Sequence, residues 1–156
     1  MGVMIKLKPL IVSLLISLGV GGLSALLTKE SMEKYQSLNQ PPLSPPGWVF
    51  PVVWTVLFVM MGIAAYLVWM QDGPGRSGAL ALYGAQLFFN FFWTLIFFNL
   101  GNYALAFFWL VALWVLILLC TLSFFKEDTR AGWMMVPYLV WVAFAGYLNA
   151  GVWLLN

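Results

Sequence analysis

Neutral polar and aromatic side chains recur at helical spacing inside one long apolar stretch. Tyr83, Gln86, Asn90, Trp93 and Phe97 follow one another at intervals of three or four residues, so they lie on one face of a helix. A side-chain amide without a partner in hydrocarbon costs about 4 to 8 kcal/mol. We therefore expect this face to point away from lipid. Two interpretations remain open, because the amides can hydrogen-bond neighbouring helices or can contact a ligand.

Two other apolar stretches carry aromatic faces of the same kind. Flat rings with a few neutral hydrogen-bonding groups suit a large planar apolar ligand, whereas helix packing is the alternative role for every ring. One face contains Pro51, Trp54, Phe58 and Met61, and the other contains Tyr138, Trp141, Ala145 and Leu148, with Asn149 beside it.

The remaining tryptophans are interpreted as structural. Trp109 and Trp114 have no polar residues nearby in the sequence, so we expect them to pack or to face lipid. Tryptophans near the ends of spans are typical of the membrane interface. That group comprises Trp48, Trp69, Trp133 and Trp153.

Residues that are missing or rare exclude several kinds of chemistry. The chain has no His, and its single Cys lies in an apolar run, so neither a disulfide framework nor a usual zinc or iron-sulfur site can form. The apolar stretches offer no candidate general base. Seven basic and five acidic residues give a net charge of +2, too few and too scattered for nucleic-acid binding. We expect no metal, no required cofactor and no nucleic-acid partner.

Membrane-spanning helices must position these side chains. With 63% hydrophobic and 8% charged residues, a chain of 156 residues cannot cover its apolar surface as a water-soluble domain does. The charge-free stretches cover residues 9–28, 35–71, 77–125 and 131–156. Because a helix needs about 20 apolar residues to cross a bilayer, we predict an all-α membrane protein with one domain, residues 1–156. Its five spans are about 8–28, 47–70, 77–98, 103–125 and 131–154.

Turn-forming residues separate the spans. The sequence Asn99-Leu100-Gly101-Asn102 divides the longest charge-free stretch into two helices. Residues 29–46 form a loop between the first two spans. Because four prolines lie between residues 41 and 46, we expect the part from Tyr35 to Pro46 to be extended.

Charge placement predicts the orientation. A secretory signal is the alternative for the N-terminal run, but residues 9–27 exceed a usual signal core in length, which favours a span. By the positive-inside rule, the N-terminus is cytoplasmic, and the loop 29–46 and the C-terminus are outside. The cytoplasmic side would carry Lys6, Lys8, Arg76, Lys126 and Arg130, against Lys29 and Lys34 outside.

Three polar or aromatic residues from different spans are predicted to meet in the outer half of the membrane. With a rise of about 1.5 Å per residue, Trp54 lies roughly 10 Å, Asn90 roughly 12 Å and Trp141 roughly 20 Å below the outer ends of their helices. The proline-rich loop lies above them. The sequence therefore predicts a cavity lined by rings and covered by a loop.

Three motifs stand out, in the first loop, the third span and the fifth span. The loop and start of the second span read PPLSPPGWVFPVVW from Pro41 to Trp54. The third span contributes Gln86, Asn90 and Trp93. The fifth contributes PYLVW from Pro137 to Trp141, followed by Ala145, Tyr147, Leu148 and Asn149. Together these motifs resemble the translocator protein family, also known as peripheral-type benzodiazepine receptors and, in bacteria, tryptophan-rich sensory proteins. The resemblance covers essentially the whole chain.

This resemblance implies a five-helix bundle, often a homodimer, here through the third helix. It implies that porphyrins such as protoporphyrin IX, and synthetic isoquinoline carboxamides or benzodiazepines, bind under the first loop. The sterol-recognition pattern of the family is not met, because no basic residue follows Tyr138 or Tyr147. The resemblance therefore favours a bacterial member, and with no recognisable export signal we expect the bacterial inner membrane. The implied binding residues are Tyr35, Pro45, Trp54, Phe58, Asn90, Trp93, Trp141, Ala145 and Leu148.

Three functions follow from these expectations. The first is a porphyrin receptor that promotes light- and oxygen-dependent porphyrin breakdown, with Trp54 and Trp141 as candidate redox-active catalytic residues. The second is a tetrapyrrole or stress sensor without turnover, in which both tryptophans only stack on the ligand. The third is a transporter of porphyrins or other lipophilic molecules. Ion-coupled transport is disfavoured, because no Asp, Glu, Lys, Arg or His lies in the interior of a predicted span, and the charged residue Lys8 marks the very start of the first.

Overall fold

The computed structural model describes residues 5–156, and every regular element in that part is helical. The predicted domain also includes residues 1–4, which lie outside the described residues. A π-helical segment, Leu95–Leu100, directly continues the fourth helix. The helices are α1 (Leu7–Thr28), α2 (Ser31–Ser37), α3 (Val49–Trp69), α4 (Arg76–Thr94), α5 (Tyr103–Glu127) and α6 (Thr129–Leu155).

Five of these helices are long and apolar enough to cross a membrane. They are α1, α3, α4 with its π-helical continuation, α5 and α6, with 21 to 27 residues each. The predicted five-helix membrane bundle is therefore confirmed. The observed helices mostly extend one or two residues beyond the predicted spans, and the second is slightly shorter.

The prediction of an extended chain from Tyr35 onwards was wrong for its first residues. The helix α2 includes Tyr35 and ends at Ser37, before the first proline of the loop. Nothing within residues 31–37 opposes a helix, because that segment contains no Pro, Gly or β-branched residue. Burial of the Tyr35 ring, which is 5% exposed, anchors the helix to the bundle. The segment from Leu38 to Pro46 has no helix, as predicted.

The predicted turn between the third and fourth spans is confirmed in a shorter form. The helix continues through Asn99 to Leu100, and Gly101 follows with φ at +64°. Glycine adopts this left-handed conformation without the steric penalty of a side chain. The side chain of Asn102 then accepts a hydrogen bond from the Leu105 N–H and caps α5.

Small residues hold α1 against α3. The hydroxyl of Ser17 donates to the carbonyl of Phe58 at 2.8 Å, and Ser13 donates to the carbonyl of Gly62 at 2.6 Å. A Cβ at Gly62 would lie 2.7 Å from the Ser17 Oγ, so the close approach requires glycine. The N-terminal run therefore packs as a span of the bundle.

Trp109 and Trp114 connect helices through hydrogen bonds that the sequence did not reveal. The indole N–H of Trp109 donates to the carbonyl of Phe89 in α4, and that of Trp114 donates to the carbonyl of Leu139 in α6. The prediction of packing without a polar partner was thus incomplete. The tryptophans predicted to lie at span ends are exposed by 38% to 69%, which is consistent with interfacial positions.

Candidate functional site: an aromatic cavity beneath α2

A cavity of about 380 Å³ lies between α1, α3, α4 and α6, with α2 bordering it. We call it the aromatic cavity. Its volume is within the range of about 300 to 1,000 Å³ that is usual for small-molecule sites. Eight of the nine predicted binding residues border it, whereas Pro45 lies half-buried in the loop and does not. The eight are Tyr35, Trp54, Phe58, Asn90, Trp93, Trp141, Ala145 and Leu148.

The two predicted redox-active tryptophans are neighbours in this wall. The ring centroids of Trp54 and Trp141 lie 6.4 Å apart at an interplanar angle of 86°. Trp54 also contacts the ring of Phe58, at 5.8 Å. Phe50 lies 6.1 Å from Trp141 and 5.9 Å from Tyr35. The rings of α2, α3 and α6 thus form one continuous aromatic surface.

The rest of the aromatic wall comes from the end of α4 and its π-helical continuation. Trp93 stacks on Phe97 at a centroid distance of 5.3 Å. Tyr35 contacts Phe97 at 5.7 Å and Phe98 at 5.5 Å. Burial raises the pKa of the Tyr35 hydroxyl above its ordinary value, so this side chain remains neutral beside the cavity.

One buried network joins the floor of the cavity to the bundle core. The hydroxyl of Tyr138 donates to Gln86 Oε1 at 2.6 Å and accepts from Asn90 Nδ2 at 2.8 Å. Gln86 and Asn90 are 0% and 2% exposed, so the predicted inward orientation is confirmed. Gln86 does not border the cavity and acts as a bridge between helices. Asn90 borders the cavity and also bridges helices, because its amide donates to Tyr138 on α6.

A second polar chain fixes Trp93. Its indole N–H donates to Asn149 Oδ1 at 3.1 Å, and the amide nitrogen of Asn149 donates to the carbonyl of Tyr103 at 2.9 Å. These bonds join α4, α6 and the first residue of α5. The Trp93 ring is therefore held in place with its hydrogen-bonding capacity already used.

Trp141 is different, since its buried indole N–H has no hydrogen-bond acceptor among residues 5–156. An unpaired buried donor costs about 1 to 3 kcal/mol. It is consequently a group that would gain from an acceptor on a bound molecule. Within the described lining, the charged side chain is Lys29, at the α1 end next to α2.

The contribution of α1 was missed by the sequence reasoning. Gly21, Ser24, Ala25 and Thr28 border the cavity, but small residues at this spacing are typical of helix packing and carry no ligand signal. Phe50, Phe98 and Met32 were also missed. No periodic pattern connects them, because they lie on a helix start, a π-helical turn and a short loop helix.

The loop after α2 is tied to α6 at the same end. Asn39 and Asn156 exchange hydrogen bonds at 3.2 and 2.8 Å. The hydroxyl of Tyr147 donates to the carbonyl of Pro42 at 2.5 Å. These contacts to α6 are among the restraints that a movement of the loop would have to break.

Comparisons with known proteins agree with this architecture. Residues 12–154 match the model of the TspO/MBR family. A tryptophan-rich sensory protein of Cereibacter sphaeroides is 42% identical over 80% of this chain and 77% of its own length. The tryptophan-rich protein TspO of Archaeoglobus fulgidus is 32% identical over 94% of this chain and 96% of its own. The translocator protein of Bos taurus is 34% identical over 90% of this chain and 85% of its own.

Proposed function

The chain belongs to the TspO/MBR family of membrane proteins, and from this premise we propose that it binds porphyrins in the aromatic cavity and promotes their light- and oxygen-dependent breakdown. The observation that carries the proposal is the wall of flat rings around Trp54 and Trp141, interrupted by few polar groups. Such a wall favours a large planar apolar ligand. Protoporphyrin IX is the first candidate.

The polar groups of the cavity are compatible with a metal-free tetrapyrrole. The chain contains no His, the commonest axial ligand of haem iron. The ammonium group of Lys29 could pair with a propionate, and the unpaired N–H of Trp141 could donate to an oxygen or a ring nitrogen. A tetrapyrrole with its side chains exceeds 380 Å³, so binding requires an outward movement of α2 or a ligand that protrudes through the cavity mouth.

Isoquinoline carboxamides and benzodiazepines are smaller candidate ligands for the same cavity. Its volume is that of a site for a drug-sized molecule. Their carbonyl oxygen would be an acceptor for the Trp141 N–H. Competition between these compounds and protoporphyrin IX would indicate that both use the aromatic cavity.

The breakdown reaction would use dioxygen as the oxidant. The excited porphyrin would take an electron from Trp54 or Trp141 and pass it to dioxygen, which becomes superoxide. The tryptophan radical would then regain an electron from the porphyrin, and superoxide would combine with the resulting porphyrin radical cation at one methine bridge. The C–C linkage there breaks and both oxygen atoms end in carbonyl groups, so the net reaction consumes porphyrin and dioxygen and needs no external reductant. Both rings would also hold the macrocycle in position.

The test is a titration of the purified protein with protoporphyrin IX, followed by illumination in air. Saturable quenching of tryptophan fluorescence measures binding, and the absorption bands of the porphyrin measure its loss. We expect Trp54→Phe and Trp141→Phe to slow the loss, and the double variant to abolish the part that depends on protein. Trp153→Phe is the matched control, because Trp153 lies on α6 outside the cavity lining.

The outcomes separate the three functions. Saturable binding without protein-dependent loss of porphyrin would leave a tetrapyrrole sensor as the function. Passage of porphyrin across sealed vesicles in the dark would support a transporter. Absence of saturable binding would refute the porphyrin proposal. Lys29→Gln should weaken binding of the diacid by about two- to fivefold and leave binding of its dimethyl ester unchanged.

We further propose that the protein forms a homodimer through α4 in a bacterial inner membrane, with the N-terminus cytoplasmic and the C-terminus outside. Gly78 and Ala81 lie on an exposed face of α4, and a Cβ at Gly78 would meet open space. Ala81→Trp should reduce cross-linking between copies at this face. Labelling of single cysteines at residues 29 and 126 from each side of the membrane tests the orientation.

A further inference from the structure

A second concavity lies at the end of the bundle opposite α2. It has a volume of about 510 Å³, and α1 lines it from Lys8 to Ile16, α3 from Ala65 to Trp69 and α4 from Leu80 to Leu87. We call it the Tyr83 groove. It shares no lining residue with the aromatic cavity. The two therefore form separate sites along the same three helices.

The hydroxyl of Tyr83 in this lining is buried without a hydrogen-bond partner among residues 5–156. The whole side chain is 6% exposed. The neighbouring hydroxyl of Ser17 donates its proton to the carbonyl of Phe58 at 2.8 Å and therefore does not donate to Tyr83. A buried donor of this kind gains free energy when an acceptor reaches it.

The open end of the groove is cationic. Lys8 is the charged residue within the described lining. The guanidinium group of Arg76 lies 5.6 Å from the ring of Trp69 and donates to the carbonyls of Trp69 and Gln71, so its donors are partly used. No acidic side chain is present in that lining. An anionic head group would therefore meet favourable charge.

The long side of the groove is apolar and faces the bilayer. Val12 and Ile16 of α1 are 50% and 52% exposed, and Leu80 and Leu87 lie opposite them on α4. Ser13 adds little polarity, because its hydroxyl already donates to the carbonyl of Gly62. An alkyl chain can enter such a groove sideways from the membrane without crossing water.

We propose that the Tyr83 groove binds a long-chain fatty acid that carries a mid-chain oxygen, with its carboxylate at Lys8 and the mid-chain oxygen accepting a hydrogen bond from the Tyr83 hydroxyl. This site differs from the aromatic cavity in ligand class and does not depend on porphyrin binding.

The depth of Tyr83 sets the position of that oxygen. Tyr83 of α4 lies beside Ser17 of α1. Ser17 follows Lys8 by nine residues, so the two residues are about 13 Å apart along α1. An extended polypeptide advances about 3.3 to 3.6 Å over the three backbone bonds of a residue, or roughly 1.2 Å per bond, and an extended alkyl chain advances by a similar amount. The carbon that carries this oxygen should therefore lie about eleven bonds from the carboxyl carbon, as C12 does in 12-hydroxystearate.

The experiment compares the affinities of 12-hydroxystearate, stearate and methyl 12-hydroxystearate for the full chain, by native mass spectrometry from detergent. We expect 12-hydroxystearate to bind about two- to tenfold more tightly than stearate. Tyr83→Phe should remove that difference. Lys8→Gln should weaken both acids by about two- to fivefold and leave the methyl ester unchanged.

Lys126→Gln is the matched control, because Lys126 is another cation at this end of the bundle and does not line the groove. Equal affinity of wild-type protein for the two acids, or equal losses in Lys8→Gln and Lys126→Gln, would overturn the proposal. Loss of binding in Trp54→Phe would assign the fatty acid to the aromatic cavity and also overturn it. Porphyrin titration of the same variants reports on the aromatic cavity independently.

Discussion

The aromatic cavity and the Tyr83 groove use the same three helices but are built differently. Four helices border the cavity, α2 lies beside it, and its aromatic wall is fixed by hydrogen bonds such as that from Trp93 to Asn149. The groove lacks α6 and opens on residues of α1 that are half exposed. An enclosed ligand site thus requires a fourth helix and a short fifth element, whereas three helices leave a site open to the bilayer.

A single layer of packed side chains separates the two sites. On α1 the linings end at Ile16 and begin again at Gly21, about 7.5 Å apart by helical rise. On α4 they end at Leu87 and begin again at Asn90, about 4.5 Å apart. The contact of Ser17 with Phe58 lies in this layer. If this layer stays packed, a substitution at one site should not alter ligand binding at the other.

The largest expected difference concerns two buried tyrosines. Tyr138→Phe should lower the free energy of unfolding by about 2 to 4 kcal/mol, because Gln86 and Asn90 each lose a buried partner. Tyr83→Phe should cost nothing or stabilise the ligand-free protein slightly, because its hydroxyl has no partner in the described structure. Thermal unfolding in detergent measures both. Equal losses of unfolding free energy in the two variants would mean that the Tyr83 hydroxyl is hydrogen-bonded in the ligand-free protein. The groove would then have no unpaired donor to offer a ligand.

The sequence predicted the Tyr138 network better than the groove, for a physical reason. Gln86 and Asn90 are expensive in hydrocarbon, so their spacing alone indicated an inward face. Ser13, Ser17 and Gly62 carry no such signal, since small residues suit any close packing. The partners of Trp109 and Trp114 are backbone carbonyls, and every residue has one. Such contacts become visible once the helices are placed.

The second prediction concerns Gly21, which lies on α1 where the cavity lining begins. A Cβ there would lie 2.6 Å from the ring of Phe58, so Gly21→Ala must displace that ring. We expect a loss of about 1 to 3 kcal/mol in stability and weaker porphyrin binding, with fatty-acid binding in the groove unchanged. Gly22→Ala is the control, because its Cβ meets nothing within 4 Å and alanine favours a helix. Equal effects at both positions would exclude a steric origin.

The third prediction concerns access to the aromatic cavity. Tyr147→Phe removes the hydrogen bond that ties α6 to the carbonyl of Pro42, so the loop should open more often. Stopped-flow measurement of porphyrin exchange should show about a two- to fivefold increase in rate, with fatty-acid exchange unchanged. Ser44→Ala is the control, because Ser44 bonds to Pro41 within the loop. Unchanged porphyrin exchange in Tyr147→Phe would exclude this bond as a restraint.

The smallest predicted effect is a pH dependence at the groove end of the bundle. The carboxylate of Asp128 accepts hydrogen bonds from the Arg130 side chain and caps α6 through the Arg130 N–H. These contacts lower the pKa of Asp128 below its ordinary value of 3.8. A lowered folded-state pKa means that the stabilisation is present above the unfolded pKa and is lost as the pH falls through the folded value.

Asp128→Ala should therefore cost about 1 kcal/mol at pH 7, mostly from the lost cap, because the Arg130 side chain is 55% exposed and its ion pair contributes little. The difference from wild type should shrink as the pH falls below 3.8. Asp72→Ala, in the exposed loop at the same end, controls for the change in net charge. The aromatic cavity lies at the other end, so porphyrin affinity should not change in Asp128→Ala. A parallel loss of porphyrin affinity would show that the two ends are coupled through the layer at Ser17 and Phe58.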